Sequence, residues 1–489
     1  VGTSTTPTGV VCEGNGLDIE VSFSDASGTT TERVFAKDRA LRGAPEDVIL
    51  TTGPSGMARH PGASIVVNRG FPTTQGGLGA VFGQMGLDHL ILRGTGGIPR
   101  QSALEKQVTD AYEAAIPGNP LTASERNYPG FAMWVGDDLV GYAASPAFSG
   151  ALTDGAKQFD GSSMMAFAAD DGGQACPGCP QWCLKSFTTG PHTPIDGGRA
   201  HQLGISGAAL MLDITDPATL VEFNQTCHDL GVEHLGAIDS LRGQPVNSGE
   251  LDTQILSAID SHPLGPDPSF RVKGMVIPPF DPRGNQGLGV GFALNPTGPR
   301  YDVLEHDIDF DAGQPWMGRE NLGRDFGIPS GGLEMGTLTP NRHESLVKLW
   351  LAWSGMDAVG LCEFAAPPTR ELTIEAMCEL ATEISGENIT REAFYELGRF
   401  RLALLRDINH LLGVTPADDT LPEHFFAQPV VDGRLAGAVV SKEAFEAASD
   451  HLRDHLGWSP AGGIAGDADR HAMMEVSELL WVDVKGALR

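Results

Sequence analysis

The sequence predicts an α+β fold: a sheet-rich N-terminal domain, residues 1–100, followed by two mostly α-helical domains, residues 101–270 and 271–489. Three observations predict it. A chain of 489 residues is long enough for two or three domains with buried cores. Its first hundred residues are rich in Gly, Thr, Pro and Val, with short apolar runs between turn residues. Beyond residue 100 the apolar spacing becomes helical, with capping residues at the starts and glycines at the ends.

The elements follow in order. "LDIEVSF", "DVILTTG", "ASIVVN" and "HLILRG" read as strands. "DPATLVEFNQTCHDLGV" reads as a helix with Asp216 at the N-cap and Pro217 in the first turn. "TREAFYELGRFRLALLRDINHLLG" reads as a long amphipathic helix that stops near Gly413, and "SKEAFEAASDHLRDHLG" as one capped by Ser441 that ends at Gly457. Between them, "KGMVIPPFDPRGNQGLGVGFALNPTG" has too many turn residues for a helix and too many apolar ones for a disordered linker. A long ordered loop lining a site is expected there.

Thirty-three Lys and Arg stand against 63 Asp and Glu, a formal net charge of −30. The chain therefore lacks the cationic surface that nucleic acid and anionic membranes require, and neither is expected as a partner. Scarce lysine and this acidity suit a salty cytoplasm, where the Debye length shrinks to roughly 3 Å at 1 M. No apolar run has membrane-spanning length, and "VGTSTTPTGVVCEG" has neither a charged start nor an apolar h-region, so neither a membrane span nor a signal peptide is expected.

Seven cysteines in so long a chain do not make a disulfide framework. Three of them, Cys176, Cys179 and Cys183, lie in C-x2-C-x3-C spacing in "ACPGCPQWC". A structural zinc site usually pairs two short knuckles, and the nearest downstream histidine, His192, is a poor fourth ligand. Three close thiolates and one distant one suit a [4Fe–4S] cube, with one thiolate on each iron. Cys12, Cys227, Cys362 and Cys378 are the candidates for the fourth corner. Cys227 and Cys378 fall within helical patterns and read as core, whereas Cys362 follows a helix beside a glycine, so spacing favours Cys362.

Taken together, "ACPGCPQWC" and "MDAVGLCEF" resemble the aldehyde:ferredoxin oxidoreductase family of tungsten (or molybdenum) bis-pterin enzymes. "VKGMVIPPFDPRGNQGLGVGFA", "GGLGAVFGQMGLDHLILRG" and "DDTLPEHFFAQP" match further family segments in the same order. The resemblance implies that Cys176, Cys179, Cys183 and Cys362 hold one [4Fe–4S] cluster. It also implies that Asp357, in the D-x-x-G-L-C motif with Gly360 and Leu361, contacts a pterin. The implied reaction oxidises an aldehyde to a carboxylic acid and passes electrons through the cluster to ferredoxin.

The departures from the family pattern are as informative as the matches. The resemblance aligns the first residues within or just before the second half of the family's N-terminal domain, so a homodimer partner or a second subunit is expected to complete that domain. "FPTTQ", residues 71–75, stands where the family has two arginines. The second pterin motif aligns with "HDLGVE", which keeps Gly231 and puts His228 and Glu233 at the two aspartate positions. Leu203 replaces a glutamate proposed for the active site, and Tyr301 replaces a histidine. That leaves His201, Tyr301 and His306 as acid–base candidates. Glu222 matches one residue of a subunit-bridging iron site whose partner is here Gln225. An oxidoreductase with an unusual substrate is expected. The alternative is a non-catalytic relative that keeps the cluster for electron transfer or scaffolding and has lost the pterin.

Overall fold

The computed structural model describes residues 3–15, 18–95, 101–128, 143–155, 161–168, 176, 179–187, 203–261, 268–314, 316–365 and 367–466. The N-terminal part is a six-stranded sheet of β1 (Thr8–Gly14), β2 (Ile19–Asp25), β3 (Val48–Thr52), β4 (Ile65–Val67), β5 (Phe71–Pro72) and β6 (Leu87–Gly94). Its strand order is β2-β1-β6-β3-β4-β5, and β1 and β6 are the parallel pair. Helices α1 (Val34–Leu41), α2 (Pro54–Met57) and α3 (Leu78–Met85) connect the strands.

Alternation gives the sheet two unlike faces. Ile49 and Ile91 lie on the buried face. There Lys37 of α1 reaches the Thr52 carbonyl at 2.9 Å and Asp88 at 2.5 Å. Phe23 pairs with Val10 and Val21 with Cys12, and β6 continues these rows with Leu90 and Leu92. This second face is apolar, yet Phe23 is 72% exposed and Val21 49%.

The rest of the chain is mainly helical, as the sequence predicts. It begins with α4 (Ala103–Ala115), α5 (Pro120–Asn127), α6 (Ala208–Met211), α7 (Pro217–Leu230), α8 (His234–Leu241) and α9 (Leu251–Ser261). A short hairpin, β7 (Arg271–Val272) and β8 (Met275–Val276), precedes α10 (Gln286–Leu294), α11 (Glu320–Phe326) and α12 (Pro340–Val359). Then come α13 (Ile374–Ser385), α14 (Arg391–Leu411), α15 (Glu423–Ala427) and α16 (Lys442–His455). One hydrophobic core runs through these helices from Tyr112 to Ile464.

Several starts and stops are as the sequence predicts. Asp216 accepts from the Thr219 amide with Pro217 in the first turn, and Ser441 accepts from the Ala444 amide. The expected loop after Lys273 is corrected: its second part is helix α10, buried along its whole length. The glycines that argued against a helix serve tight packing instead. A Cβ on Gly287 would come within 2.7 Å of Asp307 Oδ1 and of Leu346 Cδ2. Burial on all sides outweighs the roughly 1 kcal/mol per glycine of lost helix propensity.

Two seams position the site. At the first, the sheet docks on the end of α7. The Ser64 amide donates to the Gly231 carbonyl at 2.7 Å, and the Glu233 amide to the Gly62 carbonyl at 3.0 Å. Gln75 extends this seam by pairing with both backbone groups of Val276, each at 2.7 Å. At the second, α12 crosses α14 at glycines: a Cβ on Gly398 would meet the Leu351 carbonyl oxygen at 2.1 Å. Gly355 on α12 faces Phe394 at the same crossing.

Candidate metal centre and adjoining cavity

Helix α12 ends in a tight turn that presents Cys362. Gly360 takes a left-handed conformation, φ 75°, and the Leu361 amide bonds back to the Met356 carbonyl at 3.0 Å. A side chain at that φ would be strained, so the glycine of the D-x-x-G-L-C motif has a backbone cause. The following segment is tied down at three carbonyls. Tyr112 bonds Phe364, Trp353 bonds Pro367 at 3.0 Å, and Asn119 bonds Thr369 at 2.8 Å.

Among the other three cysteines, the Cys179 amide donates to the Cys176 carbonyl at 3.0 Å. The Gln181 amide donates to Cys179 Sγ at 3.4 Å, and the Phe364 amide donates to the Cys362 sulfur. Gln181 is buried and reaches Glu125 Oε2 and the Thr122 carbonyl, both at 3.0 Å. The Tyr112 hydroxyl lies 3.1 Å from the Phe364 carbonyl and 3.3 Å from Gln181 Oε1, so one side chain pins both cysteine-bearing segments.

The four sulfurs lie within one another's electrostatic reach. Burial pushes the Cys183 thiol up, and Cys362, Glu125, Cys179 and Cys176 push it further. Cys362 is raised by burial, then by Glu363, Cys179 and Cys176. Four thiolates so placed repel one another unless a multiply charged cation lies between them. A four-iron cube would take one thiolate on each corner iron, and three thiols from one loop with a fourth from a separate segment fit that donor set. Cys12 lies on β1, while Cys227 and Cys378 are buried in α7 and α13.

Beside Cys362 opens a cavity of about 210 Å³ lined by Asp302, Trp353, Met356, Asp357, Leu361, Cys362 and Glu363. Asp357 faces Arg401 at 2.8 Å and Arg300 at 3.9 Å, and Arg300 also pairs with Asp302. The Tyr301 hydroxyl hydrogen-bonds Glu363, and burial raises both groups. His306 sits behind Tyr301, its Nε2 2.9 Å from the Tyr301 carbonyl and its ring 4.1 Å from that of Phe280. Burial lowers the basicity of His306. His201 lies outside the described residues, as does His192.

The second pterin motif is placed differently. Gly231 ends α7 at φ 68° and touches the sheet: a Cβ there would meet the Gly53 amide at 2.5 Å. Glu233 is buried, caps α8 through the Leu235 amide at 3.1 Å, and is pushed up to about 8 by burial. The His228 ring packs on that of His234 at 5.0 Å, its Nδ1 3.2 Å from the Arg69 carbonyl. For a bis-pterin, therefore, the residues fit at one end, where Asp357, Arg300 and Arg401 border the cavity. At the other end the donors are spent on internal partners. Glu222 accepts from Ser248 and Gly249, while Gln225 points inward to the Phe187 carbonyl.

Sequence reasoning missed Arg300, Asp302, Arg401 and Glu363. Three of them flank named residues, in "PRYD" and "LCEF", and that adjacency was the available signal. Arg370 was missed as well. It joins Glu125 at 2.8 Å to Glu305 at 3.3 Å behind the cysteine segment, and Thr369 donates to Glu305 at 2.6 Å.

The model of the family described as aldehyde ferredoxin oxidoreductase, domains 2 & 3, matches residues 256–468. The tungsten-containing aldehyde ferredoxin oxidoreductase of Pyrococcus furiosus is 22% identical over 503 residues, which cover 91% of this chain and 77% of that protein. The enzyme of the same name from Thermococcus kodakarensis is 22% identical over 496 residues with the same coverage. Among solved structures, the active-site complex BamBC of benzoyl coenzyme A reductase, in complex with 1,5-dienoyl-CoA, shares the fold. The TM-score is 0.70 at 15% identity, over 95% of this chain and 79% of that one. No helix among the described residues is long and apolar enough to cross a membrane.

Proposed function

We propose, from its similarity to the aldehyde ferredoxin oxidoreductase family, that the chain is an iron–sulfur oxidoreductase that takes electrons from an aldehyde-type substrate and hands them to a ferredoxin-like acceptor. One observation carries the reading: four thiols on two separate segments converge beside a cavity that holds the motif aspartate.

Cys176, Cys179, Cys183 and Cys362 would hold a [4Fe–4S] cluster, which passes single electrons when bound. The Gln181 and Phe364 amides donate to two of the sulfurs, which favours the more negative, reduced state. Asp357, neutralised by Arg401 and Arg300, would hold the near edge of a tungsten or molybdenum pterin. Such a group supplies the two-electron oxidation of an aldehyde to a carboxylic acid. Tyr301 Oη keeps its proton by donating to Glu363, which lines the cavity, and Trp353 and Met356 line it with apolar surface. A second chain, or a second copy, is proposed to cover the apolar face around Phe23 and Val21.

The spent donors at Gln75, His228 and Glu233 favour a second reading: an electron-transfer or scaffold subunit that keeps the cluster without the pterin. Metal analysis of the natively purified protein decides between the two. About four iron with about one tungsten or molybdenum per chain supports the enzyme, and iron alone supports the second reading. Zinc without iron defeats both.

A further inference from the structure

The early part of α12 and the last turns of α16 bring together a group of side chains far from the cysteines in sequence. His451 and His455 are four residues apart on α16 and so share one face. Glu344, in the second turn of α12, stands opposite them. Its Oε2 lies 3.6 Å from His455 Nε2 and 4.0 Å from His451 Nε2, and the three ligand atoms lie within 4.8 Å of one another.

The protonation pattern leaves an opening for a cation. His455 Nδ1 is 3.1 Å from the His451 carbonyl, an oxygen that can only accept. That bond puts a proton on Nδ1, so in the neutral imidazole the lone pair is on Nε2, which faces a carboxylate. His451 Nε2 is buried and has no hydrogen-bond partner among the described residues. The unpartnered His451 Nε2, the His455 Nε2 and a carboxylate oxygen thus meet at one point, the donor set a cation would fill. The neighbouring charges do not supply that cation. Lys348 faces the other carboxylate oxygen, Oε1, at 3.5 Å, and Arg342 is buried on Asp307 at 2.6 Å. Asp454 adds negative charge, and the His343 ring packs on His451 at 5.3 Å.

We propose that Glu344, His451 and His455 bind a divalent transition-metal ion of the zinc(II) class that clamps α16 to α12. Two nitrogens and one carboxylate oxygen suit zinc better than magnesium or calcium, which take oxygen ligands. Zinc needs its donors roughly 3.3 Å apart, a closure within reach of rotamer shifts in the half-exposed His455 and Glu344. Water takes the fourth position. The role is structural: α12 carries Asp357 and leads into Cys362, so the clamp fixes the start of the helix whose end holds the candidate site.

The test is zinc chloride titration of the full-length, cluster-containing protein after a brief EDTA wash, followed by calorimetry and thermal unfolding. The unaltered protein is expected to take up one zinc equivalent more than His451→Ala/His455→Ala or Glu344→Gln. Only the unaltered protein should show a rise in Tm with zinc. Iron content, measured in parallel, should be the same in all three, which separates this site from the cysteines. Should the double variant fold poorly, His455→Gln alone, at an exposed position, should still lose the added equivalent. Equal zinc uptake and equal Tm shifts across all the variants overturn the proposal, as does zinc uptake matched by loss of iron.

Discussion

Tyr112 Oη lies 3.1 Å from the carbonyl of Phe364, two residues beyond Cys362, while the same hydroxyl reaches Gln181 in the loop of the other three cysteines. The tie is neutral, buried and indifferent to the oxidation state of any metal. Tyr112→Phe is predicted to cost about 1 kcal/mol, the usual net worth of such a bond. Iron should also be lost faster to a chelator, at unchanged initial stoichiometry. Equal rates of iron loss, followed by absorbance, would show that the two segments hold together without it.

Cys362→Ser removes the one thiol that comes from outside the loop. The variant is expected to retain fewer iron atoms per chain than the unaltered protein, with a changed electron paramagnetic resonance signal on reduction. Cys378→Ser, at a buried helix position, should lose stability and keep its iron. Iron unaffected by the first substitution would exclude Cys362 as a ligand.

Glu233 gives a prediction in pH. Its folded value of about 8 lies above the unfolded carboxylate range, so the folded state binds the extra proton. Stability from this group is fully present below pH of about 4 and declines as pH rises toward 8. Glu233→Gln keeps an oxygen to cap α8 and removes the titration. Urea unfolding of the variant should therefore decline less between pH 5 and 8 than that of the unaltered protein, by on the order of 2 kcal/mol. Parallel curves would refute the assignment.

Gly398→Ala is predicted to destabilise by about 2–3 kcal/mol or more, because its methyl would meet backbone rather than a movable side chain. The same change at Gly360 should cost about 1 kcal/mol from its left-handed φ alone, since open space surrounds it. Denaturant midpoints at equal slope compare the two.

The apolar face of the sheet predicts a mass. Native mass spectrometry is expected to find this 51.6 kDa chain in a larger species. Phe23→Glu, at a 72% exposed position, should shift that species toward the single chain without lowering Tm. A single chain in both proteins would remove the proposed partner.

Much of this was legible in the sequence where the cause is local. Asp216 and Ser441 announce their helices because a cap is a matter of three residues. Gly360 announces a turn for the same reason. Helix α10 was hidden because its support comes from Asp307, Leu346 and Pro282, not from its own glycine-rich sequence. Gln75 read as a lost arginine, and only the fold reveals its pairing with Val276, 201 residues away. The Arg370 network and the Glu344–His451–His455 group are invisible for the same reason: each is assembled from segments distant in sequence.

The glycine crossing of α12 and α14 has a consequence for the residues just beyond it. Gly355 precedes Asp357 by two positions, and Gly398 precedes Arg401 by three, so the pair stands within one turn of the place where the two main chains touch. A gap set by main chain against main chain works as a caliper, and neighbouring side chains change rotamer without resetting it. Warming or a bulky neighbour would loosen everything around this acid–base couple before altering its span.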